Sequence, residues 1–524
     1  MTGAGTADCH EGGTLGDILV PALERFPDRI AFEQEGAPAI TYRGFGDMVG
    51  LALALFRQLG MKHGDAVVQL SGNRAETFAI MVAAYLKGLR STTLNALSGI
   101  DDQRFIIADA AAKLVIVDPG YGDRVPALRE DGGPQWLAHS PGIGGVPDFW
   151  SLARDLDAEP LIVEARAGDI VRVAYTGGTT GRPKGVMLSH RSLVAQAVGT
   201  MIACRGVSDQ RFLCAAPISH AAGALIVPVL SAGGTVILQR RFEPGTFLQA
   251  VERHGATLTM LVPTMIAALM DHPTCARTKL GSLELILYGA APMAPDRIQM
   301  AMETFGPILV QSYGQTEAPG TVLLLDRDDH RHHDPIVLSS AGRPYPGVKV
   351  ALFDDDDQPV RRGEVGELCV RGALVMDGYQ GQPEQTAVAL RGDWLRTGDL
   401  ARQDDHGYYH IVDRKKDMII SGGFNVYPKE IEDVIAAIPG VAAVAVIGIP
   451  DDRWGEAVMA IIVPEIGRPL DEEGVKAFVR ARKGAVAAPK IVEVRDALPL
   501  TPLGKIDKKA LRAIPWSGRD RAIN

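Results

Sequence analysis

The chain has 524 residues, of which 46% are hydrophobic and 22% charged, and its formal net charge is −9. This length predicts several structural units with a large buried core, and the composition is typical of a globular enzyme. The excess of acidic residues argues against a nucleic-acid surface, which needs a concentrated basic stripe. A small-molecule substrate fits these values better.

The N-terminal segment and the cysteines favour a cytoplasmic protein. The opening residues, MTGAGTADCHEGG, lack the basic and apolar regions of a signal peptide. The sequence has no apolar run long enough to predict an integral membrane segment. Its five cysteines are scattered, which indicates reduced thiols rather than a disulfide frame or a zinc cluster. A homodimer is the commonest assembly for such a protein.

Helices and strands alternate along the first part of the chain. Residues 14–30 predict an amphipathic helix interrupted by Pro21, and residues 31–42 predict a strand pair around a turn at Gly36. This alternation predicts an α/β fold with parallel strand pairing. The further predicted elements are helices at 42–59 and 74–87 and strands at 65–70 and 114–117.

Residues 175–189, YTGGTTGRPKGVMLS, follow a short predicted strand at 170–174. Glycines let backbone N–H groups approach an anion, and successive N–H groups with nearby hydroxyls form an anion-binding nest. Lys184 adds a positive charge, while Pro183 excludes the Walker A pattern. A flexible linker rarely carries such a sequence. The stretch therefore predicts a loop that holds phosphate.

Buried strands in the middle of the chain end in small or polar residues. His220 follows the strand predicted at 213–217, and the sequence GAAPM at 289–293 follows the strand predicted at 283–288. Open α/β sheets bind ligands at the carboxyl ends of their strands. A lone histidine is more often structural, and a tight strand–helix turn is equally compatible with the small residues. The intervening elements are strands at 234–238 and 257–262 and helices at 192–202, 244–254 and 263–270.

The segment ILVQSYGQTE at 308–317 predicts a strand that delivers Thr316 and Glu317 to a loop. A protein-bound Mg²⁺ usually takes one or two carboxylates and completes its shell with water and phosphate oxygens. A carboxylate near a phosphate-holding loop therefore indicates a magnesium site.

Two other polar runs do not indicate a functional site. Residues 328–334, DDHRHHD, predict a solvated loop, and residues 354–357 predict an acidic turn.

These motifs resemble, in order and over nearly the whole chain, those of the adenylate-forming superfamily of acyl-CoA synthetases, peptide-synthetase adenylation domains and firefly-type luciferases. The resemblance implies that the loop at 175–189 holds the phosphates of ATP. It implies that Thr316 contacts the α-phosphate and that Glu317 coordinates Mg²⁺. The implied phosphate-loop residues are Thr176, Gly177, Gly178, Thr179, Thr180, Gly181 and Lys184.

The same resemblance assigns the nucleotide and carboxylate sides of the site. His220 would line the acyl or aryl pocket, with the small residues 221–224 and Thr264 around it. Small residues leave room for an aryl, cyclic or medium-to-long acyl group. The residues implied on the nucleotide side are Gly289, Ala290, Ala291, Pro292, Gln311, Tyr313 and Gly314.

The C-terminal motifs resemble those of a mobile second domain. Asp399 would accept the ribose hydroxyls, Arg414 would lie on the ribose or phosphate side, and Lys416 would be the pivot. Gly422 and Gly423 would line the tunnel for the pantetheine arm of coenzyme A.

Lys505 would be the catalytic lysine, bridging the carboxylate oxygen and the α-phosphate as charge develops. The chain departs from plant coumarate ligases, which carry lysines where Ile420 and Gly422 stand.

The resemblance implies an α/β fold with a large N-terminal domain of βαβ-type sheets, a β-rich subdomain, and a small mobile α+β C-terminal domain. We predict an N-terminal AMP-binding domain at 1–413, a hinge at 414–417 and a C-terminal domain at 418–524.

The implied reaction activates a fatty or aromatic carboxylic acid with ATP and Mg²⁺, giving an acyl-adenylate and pyrophosphate, and then transfers the acyl group to coenzyme A. Two alternatives stay open: loading of a carrier-protein thiol, and a catalytically silent nucleotide-binding homologue.

Overall fold

The computed structural model describes residues 13–96, 98–143, 145–176, 182–204, 209–331, 333–421, 424–451, 454–465, 467–468, 470–501 and 506–516. Internal contacts group the chain into a larger unit of residues 1–350 and 370–395 and a smaller unit of residues 351–369 and 396–524. This grouping places 351–369 and 396–413 with the C-terminal residues. The domain boundaries at 413 and 418 stay a prediction about which residues move.

The helices are α1 (Leu15–Arg25), α2 (Tyr42–Gln58), α3 (Ala75–Lys87), α4 (Ile100–Asp109), α5 (Val125–Leu128), α6 (Phe149–Arg154), α7 (His190–Ala203), α8 (Ile226–Ser231), α9 (Pro244–His254), α10 (Pro263–Met270), α11 (Pro295–Phe305), α12 (Arg327–Arg331), α13 (Pro335–Leu338), α14 (Pro383–Ala389), α15 (Pro428–Ala436), α16 (Glu472–Ala487) and α17 (Lys508–Ala513).

The strands are β1 (Ile30–Gln34), β2 (Ile40–Thr41), β3 (Ala66–Leu70), β4 (Arg90–Thr93), β5 (Ala112–Val117), β6 (Gln135–Ala138), β7 (Ile170–Thr176), β8 (Lys184–Ser189), β9 (Arg211–Cys214), β10 (Thr235–Leu238), β11 (Leu258–Leu261), β12 (Leu285–Gly289), β13 (Leu309–Gln315), β14 (Ala318–Leu325), β15 (Arg343–Pro344), β16 (Lys349–Phe353), β17 (Val365–Arg371), β18 (Gly378–Tyr379), β19 (Leu390–Arg391), β20 (Trp394–Gln403), β21 (Tyr409–Arg414), β22 (Ile419–Ser421), β23 (Phe424–Val426), β24 (Val441–Asp451), β25 (Gly455–Pro464) and β26 (Ile491–Val494).

Two largely parallel sheets form the core of the larger unit. Over the described residues, one sheet has the strand order β18-β8-β7-β4-β3-β5-β6, and the other has the order β15-β14-β13-β12-β11-β9-β10-β1-β2. Strands β7, β4, β3, β5 and β6 pair in parallel, as do β13, β12, β11, β9, β10 and β1. Helices lie between successive strands in the chain, so the predicted α/β fold is confirmed.

The smaller unit contains an α+β layer at its C-terminal end. Strands β24 and β25 pair in an antiparallel fashion, β26 joins β25 in parallel, and β22 and β23 extend the sheet. Helices α15 and α16 contribute apolar side chains to the same core as the sheet, including Ile431, Ile435 and Val479. Strands β20 and β21 form an antiparallel pair that precedes this layer in the chain. The predicted smaller C-terminal α+β part is therefore confirmed.

Three local predictions differ from the structure. Pro21 does not interrupt the first helix, because a capping box between Thr14 and Asp17 and the buried face of α1 hold it together through Arg25. Strand β4 was missed, because its sequence RSTT has no hydrophobic alternation and is buried only by its place between β3 and β7. The run at 328–334 is not simply a solvated loop, because it includes α12 and a fully buried His330.

His330 is buried because both of its ring nitrogens find partners. Its Nδ1 lies 2.6 Å from the backbone oxygen of Asp326, to which it donates, and its Nε2 accepts from the Tyr288 hydroxyl at 2.9 Å. Burial lowers the pKa of His330, which keeps the ring neutral in this arrangement. The sequence pattern could not predict this, since the partner Tyr288 lies on the distant strand β12.

Among the described residues, no helix is both long enough and apolar enough to cross a membrane.

His190 joins three elements of the larger unit. It is the first residue of α7 and is fully buried. Its Nδ1 accepts the backbone N–H of Leu15 at 3.1 Å, and its Nε2 lies 3.2 Å from the backbone oxygen of Tyr85, to which it donates. A protonated ring would direct a second N–H at the Leu15 N–H. Burial accordingly lowers the pKa of His190 to about 4.

We expect His190 to make the protein less stable in mild acid. As the pH falls below about 6.5, His190 binds a proton in the unfolded state but stays neutral in the native state. The loss of unfolding free energy from this residue reaches about 2 kcal/mol near pH 5. Urea unfolding at about pH 7.5 and about pH 5 should show a smaller pH effect in His190→Asn than in the unaltered protein. An equal pH effect in both proteins would contradict this assignment, since the other buried histidines are common to both.

Candidate active site

Three of the predicted site segments of the larger unit follow strands of the sheet that contains β9 to β13. Strands β9, β12 and β13 belong to its parallel part, so their carboxyl ends share an edge. His220 follows β9, Ala290 follows β12, and Thr316 follows β13. The sheet topology therefore brings together three segments that are separate in the sequence.

Strands β12 and β13 approach each other closely at Gly289. Gly289 pairs with Ser312, and a Cβ atom at Gly289 would lie 2.2 Å from the backbone oxygen of Ser312, so only glycine fits. The next residue, Ala290, is exposed and has a left-handed backbone with φ of 64°. Such a conformation costs a non-glycine residue roughly 1 kcal/mol or more and is found disproportionately at functional sites.

Gln311 has a structural partner. Its side chain is buried, and its Nε2 donates to the backbone oxygen of Ser340 at 3.2 Å. The amide group is thus used inside the protein, and the assignment of Gln311 to the nucleotide stays a prediction. Tyr313, two residues later on β13, is partly exposed.

Thr316 and Glu317 form the turn between β13 and β14. These strands are antiparallel, and Gln315 pairs with Ala318 on either side of the turn. A Cβ at Gly314 would lie 2.5 Å from the backbone nitrogen of Gly320, so the hairpin needs glycine there. The backbone oxygen of Glu317 also accepts the N–H of Met376 at 2.8 Å. The hairpin fixes the backbone that presents both predicted side chains.

The predicted phosphate loop joins β7 to β8. Thr176 and Lys184 are paired across these antiparallel strands, so the base of the loop is closed by the sheet. The Tyr175 hydroxyl donates to Asp109 Oδ2 at 2.6 Å, which ties β7 to α4. The remaining predicted loop residues, Gly177, Gly178, Thr179, Thr180 and Gly181, lie outside the described residues.

Tyr379 links the phosphate-loop strand to the hairpin turn. Its strand β18 pairs with β8, and its hydroxyl donates to Glu317 Oε1 at 2.9 Å. The ammonium nitrogen of Lys184 lies 5.2 Å from the centre of the Tyr379 ring, within cation–π range. Burial, together with the neighbouring Glu317, raises the pKa of Tyr379, so the phenol keeps its proton. Sequence reasoning missed this residue.

The His220 turn is held by Asn73, another residue that sequence reasoning missed. The Asn73 amide donates at 2.9 Å to the backbone oxygens of Ala216 and Gln239, and its Oδ1 accepts the N–H of Ile218 at 2.9 Å. His220 itself is partly buried, with Nδ1 2.7 Å from the Ser219 hydroxyl. Asn73 lies three residues after the end of β3, and a polar residue near a strand's carboxyl end is the signal that could have found it.

In the smaller unit, Asp399 and Arg414 face each other across β20 and β21. They are register partners, and Arg414 Nε lies 2.5 Å from Asp399 Oδ1. Asp399 is buried, whereas the guanidinium of Arg414 is about half exposed. Gly398, with φ of 71°, makes the tight backbone before Asp399. The structure thus brings together Asp399, which was assigned to the ribose hydroxyls, and Arg414, which was assigned to the ribose or phosphate side.

The predicted hinge is rich in charge. Lys415 lies 2.7 Å from Asp355 and 3.3 Å from Glu367, which anchors it within the smaller unit. Burial lowers the pKa of the next residue, Lys416, although Asp417 opposes that effect. The predicted residues Gly422, Gly423 and Lys505 lie outside the described residues.

Comparison with known proteins identifies the family. The sequence profile described as AMP-binding enzyme matches residues 20–380, and that described as AMP-binding enzyme C-terminal domain matches residues 430–505. The chain belongs to the AMP-binding enzyme family. The match to this AMP-binding enzyme profile includes the phosphate loop, the hairpin turn and Tyr379.

Several relatives are similar over almost their whole length. A medium/long-chain-fatty-acid–CoA ligase, FadD8, from Mycobacterium tuberculosis is 41% identical over 97% of this chain and 91% of its own. A feruloyl-CoA synthase from an Amycolatopsis species is 39% identical over 91% of this chain and 94% of its own. These relatives confirm the prediction that this AMP-binding enzyme is an AMP-forming acid–thiol ligase.

Solved structures confirm the predicted fold. The amide bond synthetase McbA from Marinactinospora thermotolerans has a TM-score of 0.88 at 33% identity, covering 95% of this chain and 99% of that one. ATP-bound MatB from Rhodopseudomonas palustris has a TM-score of 0.87 at 30% identity, covering 95% of this chain and 98% of that one. The AMP-binding enzyme described here therefore shares their large N-terminal and smaller C-terminal architecture.

Asn73 should be essential for the stability of the His220 turn. In Asn73→Ala, two buried carbonyl oxygens and one N–H lose their partner, so we expect a loss of about 3 kcal/mol in unfolding free energy. Asn73→Asp keeps the acceptor for Ile218 but sets a carboxylate against two carbonyls, and it should be no more stable. Urea unfolding measures both variants, and a loss below about 0.5 kcal/mol, typical of surface changes, would contradict the assigned role.

Proposed function

We propose that the enzyme joins a fatty or aromatic carboxylic acid to coenzyme A through an acyl-adenylate. The observation that carries the proposal is the position of Tyr379. Its hydroxyl contacts Glu317 and its ring faces Lys184. A cation suited to phosphate and a carboxylate suited to a divalent metal therefore converge on one side chain within the larger unit.

The first half-reaction forms the acyl-adenylate. A carboxylate oxygen of the acid attacks the α-phosphorus of ATP, and the bond to the bridging oxygen of pyrophosphate breaks. The chain has little covalent chemistry to perform, so its contribution is positioning and charge neutralisation. We assign the phosphates to the loop between Thr176 and Lys184, the α-phosphate contact to Thr316, and the developing charge to Lys505.

Glu317 is the proposed ligand of Mg²⁺. A single partly exposed carboxylate at a fixed turn fits an ion that usually takes only one or two protein carboxylates. When bound with ATP, Mg²⁺ supplies positive charge to the phosphate oxygens. The Tyr379 hydroxyl orients the carboxylate by donating to Oε1.

The nucleoside is assigned to two sets of residues. Residues 289–292, with Tyr313 and Gly314, would face the base, and the left-handed Ala290 supports this because exposed backbone strain favours a functional position. Asp399 would accept the ribose hydroxyls, held in place by its ion pair with Arg414.

The second half-reaction forms the thioester. The thiol of coenzyme A attacks the carbonyl carbon of the mixed anhydride, and AMP leaves. We propose that the residues after Lys416 change position between the two half-reactions, withdrawing Lys505 and presenting the Gly422–Gly423 segment to the pantetheine arm.

Two observations bear on the substrates. The His220 turn is built from small residues, and at Gly223 a Cβ would lie 1.9 Å from the backbone oxygen of Ile218, so bulky side chains are kept out of this turn. The relatives are named for medium- or long-chain fatty acids and for feruloyl-CoA. A fatty acid or a hydroxycinnamate-like aromatic acid is therefore the proposed acid.

An amine is the second candidate acceptor. It is favoured by the similarity to the amide bond synthetase McbA, which covers 95% of this chain. A carrier-protein thiol is the third. In each case the first half-reaction is unchanged and only the group that attacks the adenylate differs.

A product assay with purified protein tests the proposal. Dodecanoate, ferulate, indole-3-acetate and malonate are each supplied with ATP, Mg²⁺ and either coenzyme A, a simple amine or a carrier protein. We expect dodecanoyl-CoA or feruloyl-CoA, with AMP and pyrophosphate. An amide or a loaded carrier, formed without any CoA thioester, would show that the acceptor is an amine or a carrier-protein thiol and not coenzyme A. Failure of all four acids to promote exchange of labelled pyrophosphate into ATP would favour a silent nucleotide-binding protein.

We expect Lys505→Ala to separate the two half-reactions. The variant loses the charge that stabilises the first transition state, so pyrophosphate exchange should fall by about a hundredfold or more. Thioester formation from supplied dodecanoyl adenylate or feruloyl adenylate should change only a few-fold. Lys509→Ala, an exposed lysine four residues later, is the matched control. Equal loss of both half-reactions would remove the role assigned to Lys505.

We expect Glu317→Gln to raise the Mg²⁺ concentration needed for half-maximal pyrophosphate exchange by about tenfold or more. Tyr379→Phe removes only the orienting hydroxyl and should have a smaller effect in the same direction. Tyr121→Phe, on the turn Pro119–Arg124, is the control. An unchanged Mg²⁺ dependence in Glu317→Gln would place the metal elsewhere.

A further inference from the structure

An ion pair fixes the last described helix to the predicted hinge. Arg512 lies on α17, and its Nη2 is 2.6 Å from Asp417 Oδ1, with the two side chains only 16% and 12% exposed. Asp417 directly follows Lys416, the proposed pivot. Both residues belong to the smaller unit. A charged pair this buried has a defined geometry, because little water competes for either group.

A second ion pair holds the start of the same helix. Lys508 Nζ lies 2.7 Å from Glu432 Oε1 on α15, with exposures of 18% and 14%. That carboxylate oxygen also accepts the backbone N–H of Val446 at 2.7 Å, which fixes Glu432 against β24. Burial disfavours the charge on Lys508, but Glu432 and Asp413 outweigh it and raise the lysine pKa. Lys508 therefore stays charged and paired.

The chain on both sides of 502–505 is also anchored. Leu500 and Ile506 form an antiparallel bridge, and the N–H of Asp507 donates to the backbone oxygen of Pro499 at 2.8 Å. Asp507 then caps α17, since its Oδ1 accepts the N–H of Ala510 at 3.0 Å. Lys505 is thus followed at once by a segment with several fixed contacts.

Apolar packing alone would hold α17 weakly. The helix has six residues, and of these Leu511 is the buried apolar one. A helix this short has little stability of its own and takes its position from its contacts. One leucine provides attachment with little directional preference, whereas two ion pairs at opposite ends of the helix fix its direction and rotation.

We propose that Arg512 and Lys508 are positioning residues for Lys505, acting through their ion pairs with Asp417 and Glu432. The inference rests on the proposed role of Lys505 in forming the adenylate. The ion pairs fix the position of the start of α17 relative to the predicted hinge. Because Lys505 precedes α17 by only three residues, the position of that start limits where its ammonium group can reach. They matter for the first half-reaction, which uses Lys505, and not for the second, which does not.

Arg512→Met tests the proposal, because it removes the charge and keeps a long side chain. Pyrophosphate exchange with dodecanoate or ferulate should fall by about tenfold or more, a loss typical of a displaced catalytic group. Thioester formation from the matching synthetic adenylate should stay within about twofold. That second rate is an internal check on folding, since the residues proposed to meet coenzyme A lie in the same unit. Lys509→Met, exposed on the same helix, is the control and should leave both rates unchanged.

Conservative and paired variants separate positioning from general damage. Arg512→Lys can still pair with Asp417 and should recover most of the exchange rate. Asp417→Asn should show the same split as Arg512→Met, and the double variant should be little worse than either single one, because both remove one interaction. If Arg512→Met fails to fold, Lys508→Met, which breaks the pair with Glu432, provides the same comparison.

The outcomes distinguish this inference from the proposed function. If Lys505→Ala abolishes exchange while Arg512→Met leaves it unchanged, the positioning role is wrong and the proposed function stands. If Arg512→Met lowers both half-reactions equally, the pair only stabilises the unit and the inference is overturned. If Lys505→Ala leaves exchange intact, adenylate formation stands, but the role assigned to Lys505 is wrong and the inference fails with it.

Discussion

The contact on which the larger unit's site depends is that of Tyr379 with Lys184 and Glu317. Lys184 belongs to one sheet and Glu317 to the turn at the edge of the other, and the two-residue strand β18 brings Tyr379 to both. A phenol suits this position because its ring attracts the ammonium while its hydroxyl donates to the carboxylate. One side chain therefore contacts both the lysine that we propose meets the phosphates and the carboxylate that we propose binds the metal.

The smaller unit concentrates ion pairs in and beside the predicted hinge. Asp399 pairs with Arg414, Lys415 with two carboxylates, and Asp417 with Arg512. Burial raises the pKa of Asp413 to about 6, so this carboxylate is neutralised in mild acid. These pairs define the orientation of the segments they join more sharply than apolar contacts would. A domain that presents different residues in successive half-reactions needs segments whose orientation is fixed in this way.

The sequence allowed the fold class and most site segments to be predicted, because buried strands and glycine-rich turns are local patterns. Thr316 and Glu317 were placed in a loop after a strand in this way, and they form the turn between β13 and β14. Their roles at the site stay predictions. Tyr379 and Asn73 were not found, because their roles come from pairing with residues far along the chain. His330 was assigned to a solvated loop for the same reason: its partner Tyr288 lies on another element.

The central claim is that the acid attacks the α-phosphorus of ATP, and the fate of a carboxylate oxygen tests it most directly. Dodecanoate or ferulate labelled with oxygen-18 in its carboxylate is converted to the CoA thioester, and the phosphate products are examined by mass spectrometry. The account predicts one labelled oxygen in AMP and none in pyrophosphate, because the bridging oxygen of the adenylate comes from the acid. Unlabelled AMP, or label in inorganic phosphate, would contradict it.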